Sequence, residues 1–436
     1  MTEALQQLSE ALLRCNKCGF CLAGCPIYKV TGIEWTAARG KMALLSSVLD
    51  SELELGELAE PLFACLTCNC CVDHCPSGVI TDDIILKARA ELVRERGQPW
   101  IQRLIFSKLL PNPARLRKLV RPLRWIQASG LRSATRSLGL TKLLGDAGRA
   151  EVILPPVPFN HRITSISLPK LAQPKYRVAY FVGCAGVNLS PQVAEAAVRV
   201  LNKHDVEVVI PDFACCGMPA YGYGDVASTL TMAKQNIDLA RSLEVDAIIT
   251  TCATCGSLLK RYSVLLSHDT DYSAQASHFA DRVRDISEFL LDIGLNTKME
   301  TLSYRVTYHD PCHLGRFQKI TNQPRQILKN IPGVEFIEMA EANTCCGAAG
   351  SYSLSHYDLS MKVLARKINN VSQTSADFLV TCCPGCSMQL AHGIKESGMK
   401  IKPVELVELL DLVYRSESMG VNPNLWPTTS NDKPVS

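Results

Sequence analysis

The chain has 436 residues, of which 47% are hydrophobic and 20% charged, and its formal net charge is +4. At roughly 150 residues per domain, this length predicts about three structural units. The composition excludes intrinsically disordered and collagen-like classes, and the net charge of the whole chain is too small to indicate nucleic-acid binding. The unusual number is the cysteine count, which is 20.

The first residues and the hydropathy indicate a cytoplasmic protein. Residues 1–10, MTEALQQLSE, contain two acidic residues and lack the apolar stretch of a secretory signal. The chain contains no uninterrupted run of roughly 18 or more apolar residues, so no transmembrane helix is predicted. Because cysteines stay reduced in the cytoplasm, we expect this many cysteines to form metal or redox sites rather than disulfides.

Two identical cysteine patterns, C-x2-C-x2-C-x3-C-P, come first along the chain. This spacing is typical of bacterial ferredoxins with two [4Fe–4S] clusters, in which the fourth cysteine of each pattern binds the other cluster. We therefore predict one cluster on Cys15, Cys18, Cys21 and Cys75, and a second on Cys65, Cys68, Cys71 and Cys25. A zinc-stabilised binding module is the alternative, but zinc sites need a long separation between two ligand pairs. Arg39 and Lys41 are interpreted first as helix-surface charges and second as counter-charges to the clusters.

A strongly basic segment without cysteines follows. Residues 103–149 contain eleven Lys or Arg and a single acidic residue, Asp146. Arg117, Lys118, Arg121 and Arg124 recur at helical intervals among apolar residues, and we expect prolines 111, 113 and 122 to divide the segment into short helices. Basic amphipathic helices bind anionic membrane surfaces. A connector with solvated arginines is an equal alternative, and nucleic acid ranks last because no known binding module accompanies the charge.

The rest of the chain contains a tandem repeat. RVAYFVGC, ACCG and IITTCATC in the first copy correspond to RVTYHDPC, TCCG and LVTCCPGC in the second. Alternation of apolar strands and helical segments predicts a parallel sheet covered on both faces, with strands expected at 178–182, 206–210 and 247–250 of the first copy. Each cysteine group then follows the carboxyl end of a strand, where open α/β sheets bind their ligands.

Each repeat supplies five candidate metal ligands: Cys184, Cys215, Cys216, Cys252 and Cys255, then Cys312, Cys345, Cys346, Cys383 and Cys386. Adjacent side chains such as those of Cys215 and Cys216 diverge, so they suit an open cluster better than a single cubane. Cys70 and Cys382 belong to none of these sets. We interpret both as buried small residues, and a reactive thiol is the alternative for Cys382. His309 and His313 are interpreted either as core or capping residues or as groups that modulate a cluster.

The repeated C-x(n)-CCG-x(n)-C-x2-C pattern resembles the cysteine-rich CCG domain of heterodisulfide reductase catalytic subunits, where such sets bind non-cubane [4Fe–4S] clusters. Ferredoxin motifs, the segment LLPNPARLRKLVRPLR and two CCG domains together resemble the iron–sulfur subunit of bacterial glycolate oxidase. Its relatives include lactate-utilisation proteins and the iron–sulfur subunit of anaerobic glycerol-3-phosphate dehydrogenase. The resemblance implies two [4Fe–4S] clusters, further non-cubane clusters in the CCG domains, and no flavin on this chain.

We therefore predict an α/β chain with a helical two-cluster ferredoxin-like domain at 1–100, a basic helical connector at 101–174, two CCG domains with parallel sheets at 175–300 and 301–418, and a flexible tail at 419–436. No G-x-G-x-x-G motif follows a strand, so a partner protein must supply the electrons.

The predicted function is an electron-transfer subunit of a glycolate oxidase-type 2-hydroxyacid dehydrogenase. An FAD subunit would oxidise the hydroxy acid, and this chain would carry electrons to a quinone or another membrane acceptor, from the cytoplasm or from the inner face of the membrane. No catalytic residue is assigned to this chain under that hypothesis, and no nucleic-acid partner is expected. The alternative is a CCG region that cleaves a disulfide, as in heterodisulfide reductase, with a haem protein as electron donor.

Overall fold

The structure is a computed structural model that describes residues 8–129, 145–157 and 173–419. The basic residues Arg132, Arg136 and Lys142 of the connector lie outside the described residues, as does the predicted tail after residue 419. No helix within the described ranges is both long enough and apolar enough to cross a membrane.

The amino-terminal region is helical, with the cysteine loops between its helices. Met42 and Leu45 of the helix Ala38–Leu49 pack with Leu62 and Ile85 in a small core of their own, because apolar side chains at three- and four-residue spacing lie on one face of a helix. The helices are α1 (Ser9–Leu13), α2 (Phe20–Gly24), α3 (Pro26–Thr31), α4 (Ala38–Leu49), α5 (Ala59–Phe63) and α6 (Thr81–Arg96).

The connector contributes α7 (Trp100–Leu104), one π-helical turn (Ile105–Leu109), α8 (Pro113–Ala128) and α9 (Gly145–Ala150). Pro113 begins α8, where its missing N–H costs no hydrogen bond. The expectation that Pro122 would break the segment is wrong, because α8 continues through it. A proline inside a helix removes one backbone hydrogen bond, and here the helix tolerates that loss.

Each repeat forms a four-stranded parallel sheet, in the order β2-β1-β3-β4 in the first and β6-β5-β7-β8 in the second. The α/β class with a helical amino-terminal region is therefore confirmed. The last strand of each sheet was not predicted, because the two segments, VRD and KPVE, contain charged residues and show no apolar run. The strands are β1 (Tyr176–Tyr180), β2 (Val206–Val209), β3 (Ala247–Thr250), β4 (Val283–Asp285), β5 (Arg305–Tyr308), β6 (Glu335–Ile337), β7 (Phe378–Thr381) and β8 (Lys402–Glu405).

Helices cover both faces of each sheet, so β3 and β7 are buried along their whole length, as expected for central parallel strands. The first repeat has α10 (Gly183–Leu189), α11 (Pro191–Asn202), α12 (Met218–Gly222), α13 (Val226–Arg241), α14 (Ala253–Leu265), α15 (Ser273–Arg282) and α16 (Ile286–Asp292). The second has α17 (Cys312–Gln318), α18 (Asn322–Asn330), α19 (Tyr357–Ser372), α20 (Pro384–Glu396) and α21 (Leu406–Met419).

Buried polar contacts fix the amino-terminal region against both repeats. Arg261 of α14 binds Asp82 and Asp83 of α6, each at 2.8 Å. From the second repeat, the hydroxyl of Tyr352 donates to the carbonyl of Ala64 at 3.1 Å. These contacts hold the cysteine loops of the amino-terminal region next to the cysteine groups at the strand ends.

Candidate metal centres

The eight ferredoxin-type cysteines line two cavities. The first, which we call the outer cavity, is lined by Cys15, Cys18, Cys21, Cys71 and Cys75. The second, the inner cavity, is lined by Cys25, Cys65, Cys68 and Cys71. Each cavity thus contains the four thiols that the spacing assigns to one cluster, and Cys71 lines both.

Left-handed backbone residues shape both cysteine loops. Lys17 (φ 52°) and Gly19 (φ 88°) occupy the same places in the first loop as Thr67 (φ 47°) and Asn69 (φ 58°) in the second. Such conformations cost roughly 1–2 kcal/mol for a residue with a side chain. Alternating right- and left-handed residues make concave nests of N–H groups that bind anions, including iron–sulfur clusters, so the repeated strain is consistent with a bound anionic group.

The first cysteine pattern ends in Cys25-Pro26, and a helix begins at this proline. Pro26 is the first residue of α3, and the sulfur of Cys25 accepts a hydrogen bond from the backbone N–H of Tyr28 at 3.5 Å. Burial raises the pKa of Cys25 to about 11, although the Tyr28 N–H and the charge of Lys41 oppose this effect. A bound metal would favour the thiolate that burial alone disfavours.

Two buried cations lie beside the inner cavity. Lys41 is only 1% exposed, and its ammonium donates to the carbonyls of Trp35 and Thr36. Burial lowers its pKa, while Cys65 and Cys25 oppose that effect. Arg89 is also buried and donates to the carbonyl of Cys65 at 2.6 Å. The interpretation of Lys41 as a surface charge is therefore wrong.

The donor set and the charges fit an anionic iron–sulfur cluster. All 20 cysteines lie in the described residues and are free thiols, so no disulfide competes for these positions. Each cavity is lined by at least four cysteine thiols, and thiolate sulfurs are the ligands of [4Fe–4S] clusters. Buried cations beside four sulfurs offset the charge that such a cluster brings.

The first CCG set gathers its thiols at the carboxyl ends of the strands. The sulfurs of Cys184 and Cys215 are 3.7 Å apart. Hydrogen bonds from Cys215 and Cys255 lower the pKa of Cys216 to about 5. Gly183 has φ of 75°, and a β-carbon at this position would lie 3.0 Å from the sulfur of Cys255. The set is thus crowded and contains one preferred thiolate.

The second CCG set repeats this arrangement. Hydrogen bonds from Cys345 and Cys386 lower the pKa of Cys346, the counterpart of Cys216. The pKa of Cys383 is lowered as well, by hydrogen bonds from Cys252 of the first set and from Cys386. The side chain of Thr254 lies 3.3 Å from the sulfur of Cys383. The two CCG sets therefore meet directly.

The inner cavity also adjoins the second CCG set. Cys68 and Cys345 interact through their side chains, and the leftover Cys70 is buried in the same apolar cluster. Cys382, the other leftover cysteine, is buried too and accepts a hydrogen bond from Tyr308 at 3.6 Å. The four cysteine groups thus form one series: outer cavity, inner cavity, second CCG set, first CCG set.

Sequence reasoning missed several buried groups near the cysteines. Arg89 and Lys367 carry no motif, yet Lys367 is 1% exposed and burial lowers its pKa to about 8 beside Cys346 and Cys345. Its ammonium donates to the carbonyl of Ala342 at 3.2 Å. His313 donates to or accepts from Ser257 at 2.7 Å and stacks on Phe317. His309 and His313 did give a signal, because they flank Cys312 in the sequence.

Three family models match this chain, and together they define its class. A 4Fe-4S dicluster domain matches residues 11–79, and the cysteine-rich CCG domain matches twice, at 178–260 and 306–391. The linker region of the glycolate oxidase iron–sulfur subunit matches residues 97–154. The chain is an iron–sulfur protein that combines a dicluster domain with two CCG domains.

Full-length relatives narrow this class. The chain is 36% identical to the probable glycolate oxidase iron–sulfur subunit of Bacillus subtilis, over 92% of this chain and 93% of the relative. It is 29% identical to the glycolate oxidase iron–sulfur subunit of Escherichia coli, over 91% and 95%. This chain belongs to the glycolate oxidase iron–sulfur subunit family. A hypothetical protein from Helicobacter pylori shares the fold, with a TM-score of 0.56 at 12% identity, over 96% of this chain and 76% of that one.

Proposed function

We propose that this chain is the electron-transfer subunit of a glycolate oxidase-type 2-hydroxyacid dehydrogenase. A partner subunit with FAD removes two electrons from the hydroxy acid, and this chain carries them one at a time to a quinone or another membrane acceptor. The observation that carries the proposal is the unbroken series of cysteine groups, joined at Cys71, at the Cys68–Cys345 contact and at the Cys252–Cys383 contact.

The outer cavity is the proposed entry point. Cys18 is exposed, whereas Cys68 of the inner cavity is buried. Large apolar side chains on the segments around the outer cavity are exposed as well: Leu13, Phe20 and Ile80. Interfaces bury apolar side chains of this kind at their centre. This surface suits the docking of the flavin subunit.

The connector is the proposed membrane contact. It exposes Trp100 and Trp125, which are 73% and 71% accessible, together with Arg103, Lys108 and Lys118. Tryptophan and basic residues together favour the interface of an anionic bilayer. The carbonyl of Leu110 in the same segment accepts a hydrogen bond from the backbone N–H of Cys215 at 3.1 Å. The segment thus lies against the first CCG set, the far end of the series.

Anaerobic reduction by the substrate tests the electron-transfer proposal. The chain purified with its FAD partner should lose visible iron–sulfur absorbance when glycolate or lactate is added, and the chain without the partner should not. Full dehydrogenase activity from the flavin-free chain would contradict the proposal. Cleavage of a disulfide by the chain, driven by reduced clusters without any hydroxy acid, would instead favour the heterodisulfide reductase-like alternative.

Vesicle sedimentation tests the membrane contact. We expect binding to phosphatidylcholine vesicles that contain phosphatidylglycerol and weaker binding to phosphatidylcholine alone. Replacing both Trp100 and Trp125 with Ser should reduce binding to the anionic vesicles, whereas the control Val264→Ser, at another exposed apolar residue, should not. Equal binding by the double variant and the unmodified chain would contradict this part of the proposal.

A further inference from the structure

His309 lies among the thiols of the second CCG set. It directly follows β5, and its side chain is fully buried. A ring nitrogen of His309 and the sulfurs of Cys346 and Cys386 all lie within 4.8 Å of one another. Imidazole nitrogen and thiolate sulfur both bind iron and zinc. The three groups are therefore close enough to share one metal ion.

Neither ring nitrogen of His309 has a hydrogen-bond partner in the described part of the chain. The carbonyl of Ala342 lies near the ring but lacks hydrogen-bond geometry. Other buried histidines are partnered: His204 bonds to the carbonyl of Val200 at 2.8 Å and to the N–H of Asn296 at 3.0 Å. An unpaired buried polar group costs roughly 1–3 kcal/mol, so His309 requires a partner that the protein itself does not supply.

The first repeat has no such group. Phe181 occupies the equivalent position: its backbone N–H donates to the carbonyl of Ile249 at 2.8 Å, just as that of His309 donates to the carbonyl of Val380 at 2.9 Å. The ring of Phe181 is also fully buried, and it packs on Phe213 at 5.1 Å between centroids. A phenyl ring cannot bind a metal. The two CCG sets are therefore alike in their cysteines and different at this one position.

We propose that the imidazole of His309 is a nitrogen ligand of the metal centre in the second CCG set, on the side of Cys346 and Cys386. The inference rests on the proposed function only in requiring that this set holds an iron–sulfur centre. It assigns the second centre mixed sulfur and nitrogen ligation and leaves the first with sulfur alone. Replacing cysteine by histidine changes the reduction potential of iron–sulfur centres considerably, so the two CCG centres would differ as electron carriers.

Pulsed EPR with labelled histidine tests the ligand directly. The holoprotein is prepared once with natural histidine and once with ¹⁵N-histidine, and both samples are reduced with dithionite under anaerobic conditions. We expect a nitrogen hyperfine coupling of the size found for directly bound imidazole, which changes to the ¹⁵N pattern on labelling. A coupling as weak as that of a hydrogen-bonded nitrogen, or none, would overturn the proposal. This comparison needs no variant.

Two variants locate the nitrogen. His309→Phe introduces the residue found at this position in the first repeat and should abolish the coupling, while the control His313→Asn should retain it.

Iron analysis separates this inference from the underlying function. Iron bound at the second CCG set without histidine coupling defeats the His309 assignment alone. Iron accounting only for the two ferredoxin-type clusters defeats the CCG clusters and the His309 assignment together.

Discussion

The outer and inner cavities are built on the same cysteine spacing but differ in exposure and charge. The outer cavity has the exposed Cys18 and the partly exposed Arg39, which pairs with Glu34 at 2.9 Å. The inner cavity has the buried Lys41 and Arg89 and adjoins the second CCG set. Reduction potential depends on solvent exposure, charge and hydrogen bonding around the sulfurs. We therefore expect the same motif to give two different electron carriers, with the buried cations favouring reduction of the inner one.

Removing one ligand from each cavity should have the largest effect. Cys65→Ser should eliminate the inner cluster and slow reduction of the CCG centres by the partner more than about 100-fold, since even outer-shell changes at metal sites cost 10–100-fold. Cys18→Ser should eliminate the outer cluster. Iron analysis and rapid-mixing absorbance measure both effects, and Cys70→Ser is the control that should keep all the iron. CCG reduction at the normal rate in Cys65→Ser would refute the proposed order of the series.

Stability should also separate the two cavities. Arg89 donates to the carbonyls of Leu62, Cys65 and Gly222, so Arg89→Met leaves buried acceptors unpaired and should cost about 1–3 kcal/mol. Arg39→Met removes a partly exposed ion pair and should cost less than about 1 kcal/mol. Denaturant midpoints under anaerobic conditions give both values. Similar losses in the two variants would show that the inner cavity does not depend on its buried cation.

These differences were only partly predictable from the sequence. Repeated spacing predicted the cysteine groups and the parallel sheets because each has a strong local pattern. Burial of Lys41 and exposure of Arg39, two positions apart, depend on how α4 packs against its neighbours. The Cys68–Cys345 contact depends on domain docking, which leaves no local signal. The ligand assignments also depend on how the domains dock, so they stay proposals. The fold class could be predicted because the repeated spacing is a local pattern.

The potential of the inner cluster provides a sharper test of the charge difference. The buried positive charge of Lys41 stabilises the reduced form of the cluster, which is the more negative form. Lys41→Met removes this charge. We expect the potential of the cluster to fall by roughly 60 mV, equivalent to about 1.4 kcal/mol for one electron. Anaerobic redox titration followed by EPR measures the shift. Arg39→Met is the matched control at the outer cavity, and solvent there should keep its shift much smaller. An unchanged inner potential would mean that the charge difference has no redox consequence.

The smallest expected effect concerns how the inner cavity is held against the second repeat. The helix α3 after Cys25 carries Lys29, which pairs with Glu341 at 3.1 Å, and Arg366 pairs with Glu341 at 2.8 Å. The residues after Cys75 form a turn, and in the described structure this turn makes no ion pair with the second repeat. Both Glu341 and Arg366 are partly exposed, so Glu341→Gln should cost less than about 1 kcal/mol.

The pH dependence of this cost distinguishes the ion pair from simple packing. Hydrogen bonds from Arg366 and Lys29 lower the pKa of Glu341 to about 2, below its unfolded value of about 4.3. A lowered acid pKa stabilises the fold above the unfolded value, and this stabilisation is lost as the pH falls toward the folded value. The cost of Glu341→Gln, measured from denaturant midpoints, should therefore be equal at pH 7.5 and pH 6 and should shrink as the pH falls from about 4.3 toward about 2. A cost that stays the same from pH 6 down to about pH 3 would mean that the ion pair with these two cations does not produce it, and that docking of the inner cavity relies on the buried contacts of Arg89 and Tyr352 instead.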